Sequence, residues 1–252
     1  MKIIIAFLSL IIFCTLSVHA QVVNIESQRM STDTSGWAGH IKGSFSLERN
    51  VNRIVIFNIG THLQYKTPNK KNLFLLLTKF SFLKTQKEEF GNTGFVHARY
   101  NYKINDWLRW EAFFQTQYNR ITQIRHRELV GTGPRFKLSQ YDDLRVYVGT
   151  LYMFEYEQLL DESVIEKNHR LSSYLSVSMF PRDNFSIIST TYIQPKLNDW
   201  RDYRIATENS MEVGITNRVS TETSFSLLFD TRVPVDVPRM TYTLETGFKF
   251  QF

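Results

Sequence analysis

Met240-Thr-Tyr-Thr-Leu-Glu-Thr-Gly-Phe-Lys-Phe-Gln-Phe252 decides the fold. Met240, Tyr242, Leu244, Thr246, Phe248, Phe250 and Phe252 fall on every second position, and Thr241, Thr243, Glu245, Gly247, Lys249 and Gln251 fall between them. A period of two is that of a β-strand, whose successive side chains point to opposite faces. One face is apolar and aromatic while the other is polar and charged. Water would penalise an exposed apolar face of that size, whereas lipid on one side and a polar lumen on the other require it. The stretch predicts a strand of a transmembrane β-barrel.

The opposite terminus agrees. Lys2 precedes the apolar run Ile3 to Leu16, followed by Val18-His19-Ala20. A charged start, an apolar core and a small-residue cleavage site predict a signal peptide over residues 1–20. The run is shorter than the ~20 residues that a membrane helix needs. Cys14, the one cysteine, lies inside it. A chain cleaved after Ala20 therefore has no disulfide or thiolate metal site. The formal charge of +6 falls by one when Lys2 is removed. The basic residues are spread through the strands without a Lys/Arg block, which argues against a nucleic-acid partner.

Residues 21–36 read as a polar periplasmic segment and residues 37–252 as one barrel. Working back from the last strand, alternating segments recur at Trp37–Arg49, Asn52–Thr67, Leu73–Lys84, Gly94–Lys103, Leu108–Asn119, Arg127–Leu138, Leu144–Glu157, His169–Phe180, Asn184–Gln194, Arg204–Asn217, Thr223–Arg232 and Arg239–Phe252. They predict an all-β, antiparallel up-and-down barrel of about twelve strands, each near the ~9–11 residues of a tilted crossing. Tight connections rich in Asn, Asp, Pro and Ser are expected at Pro68–Asn72, Ile104–Asp106, Ser139–Asp143, Pro181–Asp183 and Val219–Glu222. Longer ones are expected at Thr85–Thr93, Arg120–His126, Gln158–Asn168, Pro195–Tyr203 and Val233–Pro238. An even strand count puts both termini in the periplasm of a Gram-negative cell. On the outward faces one clear charge is expected, Glu128 at a strand end. Pro134, within Gly131-Thr-Gly-Pro-Arg-Phe136, predicts a bulge or a bend, made tolerable by the two glycines.

The lumen face is predicted to carry a charge network of Arg99, Arg109, Glu111, Arg135, Arg145, Glu155, Glu208, Arg232 and Glu245, joined by Arg170, Arg204, Glu212, Asp230 and Lys249. Closing Ile104-Asn105-Asp106 with Lys103 opposite Trp107 puts Arg99 opposite Glu111 and Tyr100 opposite Trp110. Pairing Thr216 with Ser224 puts Glu208 opposite Arg232. Charges of both signs facing each other imply a zipped, partly closed interior. They suit a structural barrel or a narrow solute-conducting one. The alternative is an outer-membrane lipid-modifying hydrolase. However, His40, His62, His97, His126 and His169 are scattered, and the His-x-Ser-Asn-Gly signature of twelve-stranded outer-membrane phospholipases is missing. His62 and His97 read as hydrogen-bonded interior residues. No residue pattern calls for a catalytic site, a cofactor or a metal.

Asn24-Ile-Glu-Ser27, the run from Arg99 to Asn119 and Gly131 to Phe136 resemble the YdiY-like family of uncharacterised, salt-induced outer-membrane proteins (domain of unknown function 481), in particular its Bacteroidetes-type members. The resemblance implies an outer-membrane β-barrel of unknown activity and supplies no catalytic or ligand residue; porin-like describes the barrel pattern alone. Phe248, Phe250 and Phe252 are similar to the C-terminal signal read by the barrel-assembly machinery. Expected partners are outer-membrane lipid and lipopolysaccharide, periplasmic chaperones and that machinery, with the barrel a monomer.

Overall fold

The computed structural model describes residues 35–49, 53–85, 92–120, 122–139, 141, 143–161, 164–233 and 238–251. The expected signal peptide, most of the segment 21–36 and Phe252 lie outside them. Twelve strands follow in chain order: β1 Gly36–Arg49, β2 Arg53–Lys66, β3 Asn72–Thr85, β4 Thr93–Lys103, β5 Leu108–Asn119, β6 Ile124–Lys137, β7 Leu144–Leu159, β8 Ile165–Arg182, β9 Phe185–Lys196, β10 Asp199–Gly214, β11 Val219–Asp230 and β12 Met240–Gln251. Each pairs antiparallel with its chain neighbour, and β1 pairs with β12, closing the barrel. Closure removes most of the edge that a flat sheet would leave, although β1 and β12 pair only from His40↔Gln251 to Gly43↔Phe248.

The polarity of the wall is inverted relative to a soluble barrel. Trp37, Phe45, Leu244 and Phe248 are each at least 65% exposed, while Glu111, Glu155 and His97 are fully buried. Outside the aqueous phase this is the stable arrangement, because lipid accepts the apolar side chains and the lumen shelters the charges. Among the described residues no helix is long and apolar enough to cross a membrane; the crossing is made by strands. The outward faces carry Lys84 and Lys167 as well as Glu128. All three stand near the strand ends remote from both termini.

Several expectations are corrected. The connections on the side remote from the termini are 50–52, 86–92, 120–123, 160–164, 197–198 and 231–239, so the contrast between long and short connections is weaker than expected. β7, β8 and β10 run on into segments expected as loops, because those residues also alternate and continue the ladders, as in Gln158↔Ile165 and Asp199↔Lys196. The expected turn at Val219–Glu222 lies instead at 215–218. There Thr216 Oγ1 accepts from the backbone N–H groups of Arg218 and Val219, and Val219 enters β11.

The hairpin of β4 and β5 closes with Lys103 opposite Arg109. The N–H groups of Ile104 and Asn105 both donate to Leu108 O, and Asn105 Oδ1 accepts from Trp107 and Leu108. This four-residue turn shifts the expected register, so Asn101 faces Glu111, Tyr102 faces Trp110 and Arg99 faces Phe113. Likewise Ser210 faces Ser224 and Glu208 faces Ser226, which leaves Arg232 beyond the end of β11.

Of the bulge or bend expected at Pro134, the bulge does not form. Pro134 stands opposite Trp110, and towards β7 the ladder passes from Thr132↔Tyr152 to Arg135↔Gly149 with its register kept. Gly133 makes this approach feasible, since a Cβ there would lie 2.3 Å from Thr150 O and 2.7 Å from Leu151 Cα. Both obstacles are backbone and cannot swing aside. Gly133→Ala is therefore expected to destabilise the barrel by about 1–3 kcal/mol, the usual cost of overpacking. The midpoint of urea unfolding in lipid vesicles checks this.

Candidate functional site: the filled lumen

Inward residues on the consecutive strands β6 to β11 build a lattice at the end remote from the termini. The fully buried carboxylate of Glu155 on β7 lies at its centre. Its Oε2 accepts from Arg170 Nε at 2.8 Å, its Oε1 lies 3.3 Å from Arg127 Nε, and Arg204 Nη1 donates to the same oxygen. Arg127 also pairs with Glu157, donating Nε to Oε2 at 2.5 Å. Arg204 reaches outward to Asp230, Nε to Oδ2 at 2.5 Å, and Arg170 to Asp202, Nη2 to Oδ1 at 3.0 Å. Lys196 lies 3.9 Å from the other oxygen of Asp202. Three arginines and a lysine thus face four carboxylates, which neutralises the group internally. Planar guanidinium forks can serve two or three carboxylates at once, which explains why arginine predominates here.

An apolar layer lies beneath the lattice: Phe113, Leu129, Leu151, Met153, Tyr174, Tyr192, Ala206 and Leu228, all buried and in mutual contact. Tyr174 joins it to a second polar centre by donating its hydroxyl to Glu111 Oε2 at 2.9 Å. Arg99 Nη1 lies 3.0 Å from Glu111 Oε2, and Arg135 Nη1 lies 3.2 Å from Oε1. Arg99 therefore reaches Glu111 diagonally, not across the ladder. The Arg135 guanidinium covers the Tyr147 ring at 3.9 Å, and Arg109 approaches the same ring at 5.8 Å. Arg145 stacks over Phe180 at 5.1 Å. His97 Nδ1 lies 3.0 Å from Gln115 Oε1, and Arg99 Nε donates to His97 Nε2 at 3.4 Å. The His40 and His62 rings meet at a tilt of 53°, with centroids 4.9 Å apart.

A third group lines the wall where the barrel closes. Lys42 meets Glu222 at 2.5 Å, Lys79 meets Glu245 at 3.1 Å and Lys249 meets Glu212 at 2.6 Å. Glu208 stands on the same wall, bordering a cavity of about 70 Å³. Of the sequence-predicted network, Arg99, Glu111 and Arg135 thus meet in one centre, with Arg109 beside them. Glu155 belongs to the lattice, Glu208 and Glu245 to the closing wall, and Arg145 stands apart. Arg232 is a correction: it is exposed, 3.7 Å from Asp199, because its strand ends two residues earlier. Phe248 and Phe250 are exposed on the outer face of β12. Arg127, Glu157, Asp202, Lys42, Lys79 and Glu222 were not in the predicted network. Each alternates in phase with the lumen residues of its strand, which is the signal that could have found them. Among the described residues, no group of three or more His, Cys, Asp and Glu side chains could hold a metal ion.

An inside-out, closed twelve-stranded wall with charges within defines a transmembrane β-barrel. The chain belongs to the family described as "Protein of unknown function, DUF481", whose profile matches residues 55–252. No curated protein matches it. Among solved structures, the NanC porin is 11% identical with a TM-score of 0.52, covering 84% of this chain and 98% of its own. The translocator domain of autotransporter NalP from Neisseria meningitidis is 12% identical with a TM-score of 0.52, covering 90% of this chain and 92% of its own. At such identities the likeness is one of fold.

Proposed function

We propose that the protein is an outer-membrane barrel closed along its axis, a structural barrel and not a constitutive pore. One observation carries the reading: every strand contributes at least one buried side chain to the interior, from His40 on β1 and His62 on β2 to Leu228 on β11 and Thr241 on β12. A conducting lumen needs hydrated side chains along its whole length. Here the apolar layer and the internally neutral lattice around Glu155 fill the interior between β5 and β11 with side chains. Incorporation of the wild-type protein into planar bilayers in symmetric KCl is expected to give no resolved conductance steps. Stable open-channel steps from the wild type would overturn the reading and restore a narrow solute path.

The family profile and the barrel architecture support an outer-membrane location. We assign the chain to the salt-induced, YdiY-like members of Bacteroidetes type, a reading that rests on the stretches Arg99 to Asn119 and Gly131 to Phe136. In this reading residues 1–20 are a signal peptide, 21–36 a periplasmic segment and 37–252 a monomeric barrel with both ends facing the periplasm. Lipid and lipopolysaccharide contact its outer face. Phe248, Phe250 and Phe252 engage the assembly machinery after periplasmic chaperones deliver the chain. The lumen charges hold the wall together and take no part in catalysis.

A further inference from the structure

The closing seam is only half made. β1 and β12 pair from His40↔Gln251 to Gly43↔Phe248, and among the described residues the ladder between them goes no further. Beyond that point β1 continues to Arg49 paired with β2 alone, and β12 from Met240 to Gly247 pairs with β11 alone. The fork lies six residues above Trp37, roughly 15 Å along the barrel axis at ~3.3 Å per residue and a ~40° tilt. That depth is inside the hydrocarbon layer. Unpaired strand edges are tolerated there only where protein covers them or a polar cavity borders them.

Such a cavity is present. The space of about 70 Å³ described above lies at the fork, and its lining draws on both faces of the wall. Lys42, Lys79, Glu222 and Glu245 border it from the lumen side, while Phe248 and Ile59 belong to the lipid side. Gly43, at the fork and pointing outward, leaves open space where a side chain would be: a Cβ there meets nothing within 4 Å. The exposed Phe45 and Leu244 flank the gap on the lipid side.

We propose that the β1–β12 seam is a lateral opening that admits a zwitterionic, single-chain amphiphile from the bilayer, its head group in the charged cavity and its chain in lipid. Ammonium and carboxylate side chains together match a head group that carries both signs. The head group's donors and acceptors serve the unpaired strand edges. The head group enters between two strands, and its single chain stays in the lipid beside Gly43, Phe45 and Leu244. The proposal goes beyond axial closure and does not depend on it, because the route runs through the wall.

The test uses full-length protein in lipid bilayers containing lysophosphatidylethanolamine with a photoreactive diazirine beside the head group. After irradiation, adducts are mapped by peptide mass analysis. Adducts on the inward residues Ser44, Asn58 and Glu245 are expected to exceed those on inward residues of the far wall, such as Glu155, by about tenfold or more. Gly43→Trp fills the mouth from the lipid side. It is expected to reduce the cavity adducts about tenfold while leaving adducts at Trp107, exposed in the turn before β5, unchanged. If that variant does not fold, a disulfide across the fork replaces it. A Cβ on Gly247 would lie 3.7 Å from Ser44 Cβ, within the range that a disulfide spans. The Ser44→Cys/Gly247→Cys protein is expected to lose the adducts when oxidised and regain them with dithiothreitol. Adducts confined to the outer face, spread evenly around the barrel, or insensitive to both variants would overturn the proposal.

Discussion

Glu155→Gln is expected to destabilise the barrel by about 3–5 kcal/mol, the cost of removing one partner from a buried ion pair. The substitution keeps the shape and removes the charge. Arg127, Arg170 and Arg204 then lose the carboxylate they share, and the lattice gains one net positive charge away from water. The surrounding carboxylates cannot relax inward, since Asp230 and Asp202 already hold the far sides of Arg204 and Arg170. Glu155→Asp, which keeps the charge on a shorter arm, is expected to cost less. Urea unfolding in lipid vesicles, followed by the mobility of the folded form on unheated gels, measures both. A Gln variant as stable as the wild type would show that the lattice is incidental to the fold.

Phe114→Arg is expected to cost about 2–4 kcal/mol, the penalty for a cation at the bilayer midplane. Phe114 lies in the middle of β5, points outward and is 44% exposed. In a soluble barrel the same change would replace an exposed aromatic by a well-hydrated side chain at almost no cost. Trp107, 56% exposed in the turn before β5, is the control. Arginine there lies near the interface, where the penalty falls to about 0–1 kcal/mol. Vesicle-insertion yield and urea midpoint of the two variants report the difference.

The strand count and the phase of the outward faces were legible because lipid imposes a strict alternation. Phe57, Ile59, Phe74, Leu76, Trp110 and Phe114 cannot be moved to the lumen without carrying charges into the bilayer. Register was much less legible. The hairpin at Ile104 to Trp107 is set by which backbone groups Asn105 captures, and a change of turn length moved Arg99 from its place opposite Glu111 to a diagonal one. Reach compensated for register, since an arginine side chain spans a diagonal neighbour. Arg232 had no such compensation, because its strand ended before it.

The inward apolar layer was hidden by the same alternation. A strand with both faces apolar reads as an ambiguous run, and Leu73 to Leu77, Ala112 to Phe114 and Leu151 to Phe154 are such runs. They mark where the lumen is filled by side chains instead of water. The half-made seam left no trace in the sequence at all. β1 and β12 each alternate normally, and whether two strands far apart in the chain complete their ladder depends on closure of the whole barrel.

The barrel sets an apolar outer face in lipid and shields a charged interior from it. Spin labels on single cysteines at successive positions from Trp110 to Thr116 of β5, in lipid bilayers, test that claim most directly. Collision with oxygen, which concentrates in the hydrocarbon, is expected to peak at positions 110, 112, 114 and 116 and to fall at 111, 113 and 115. The opposite phase, or no alternation, would contradict it.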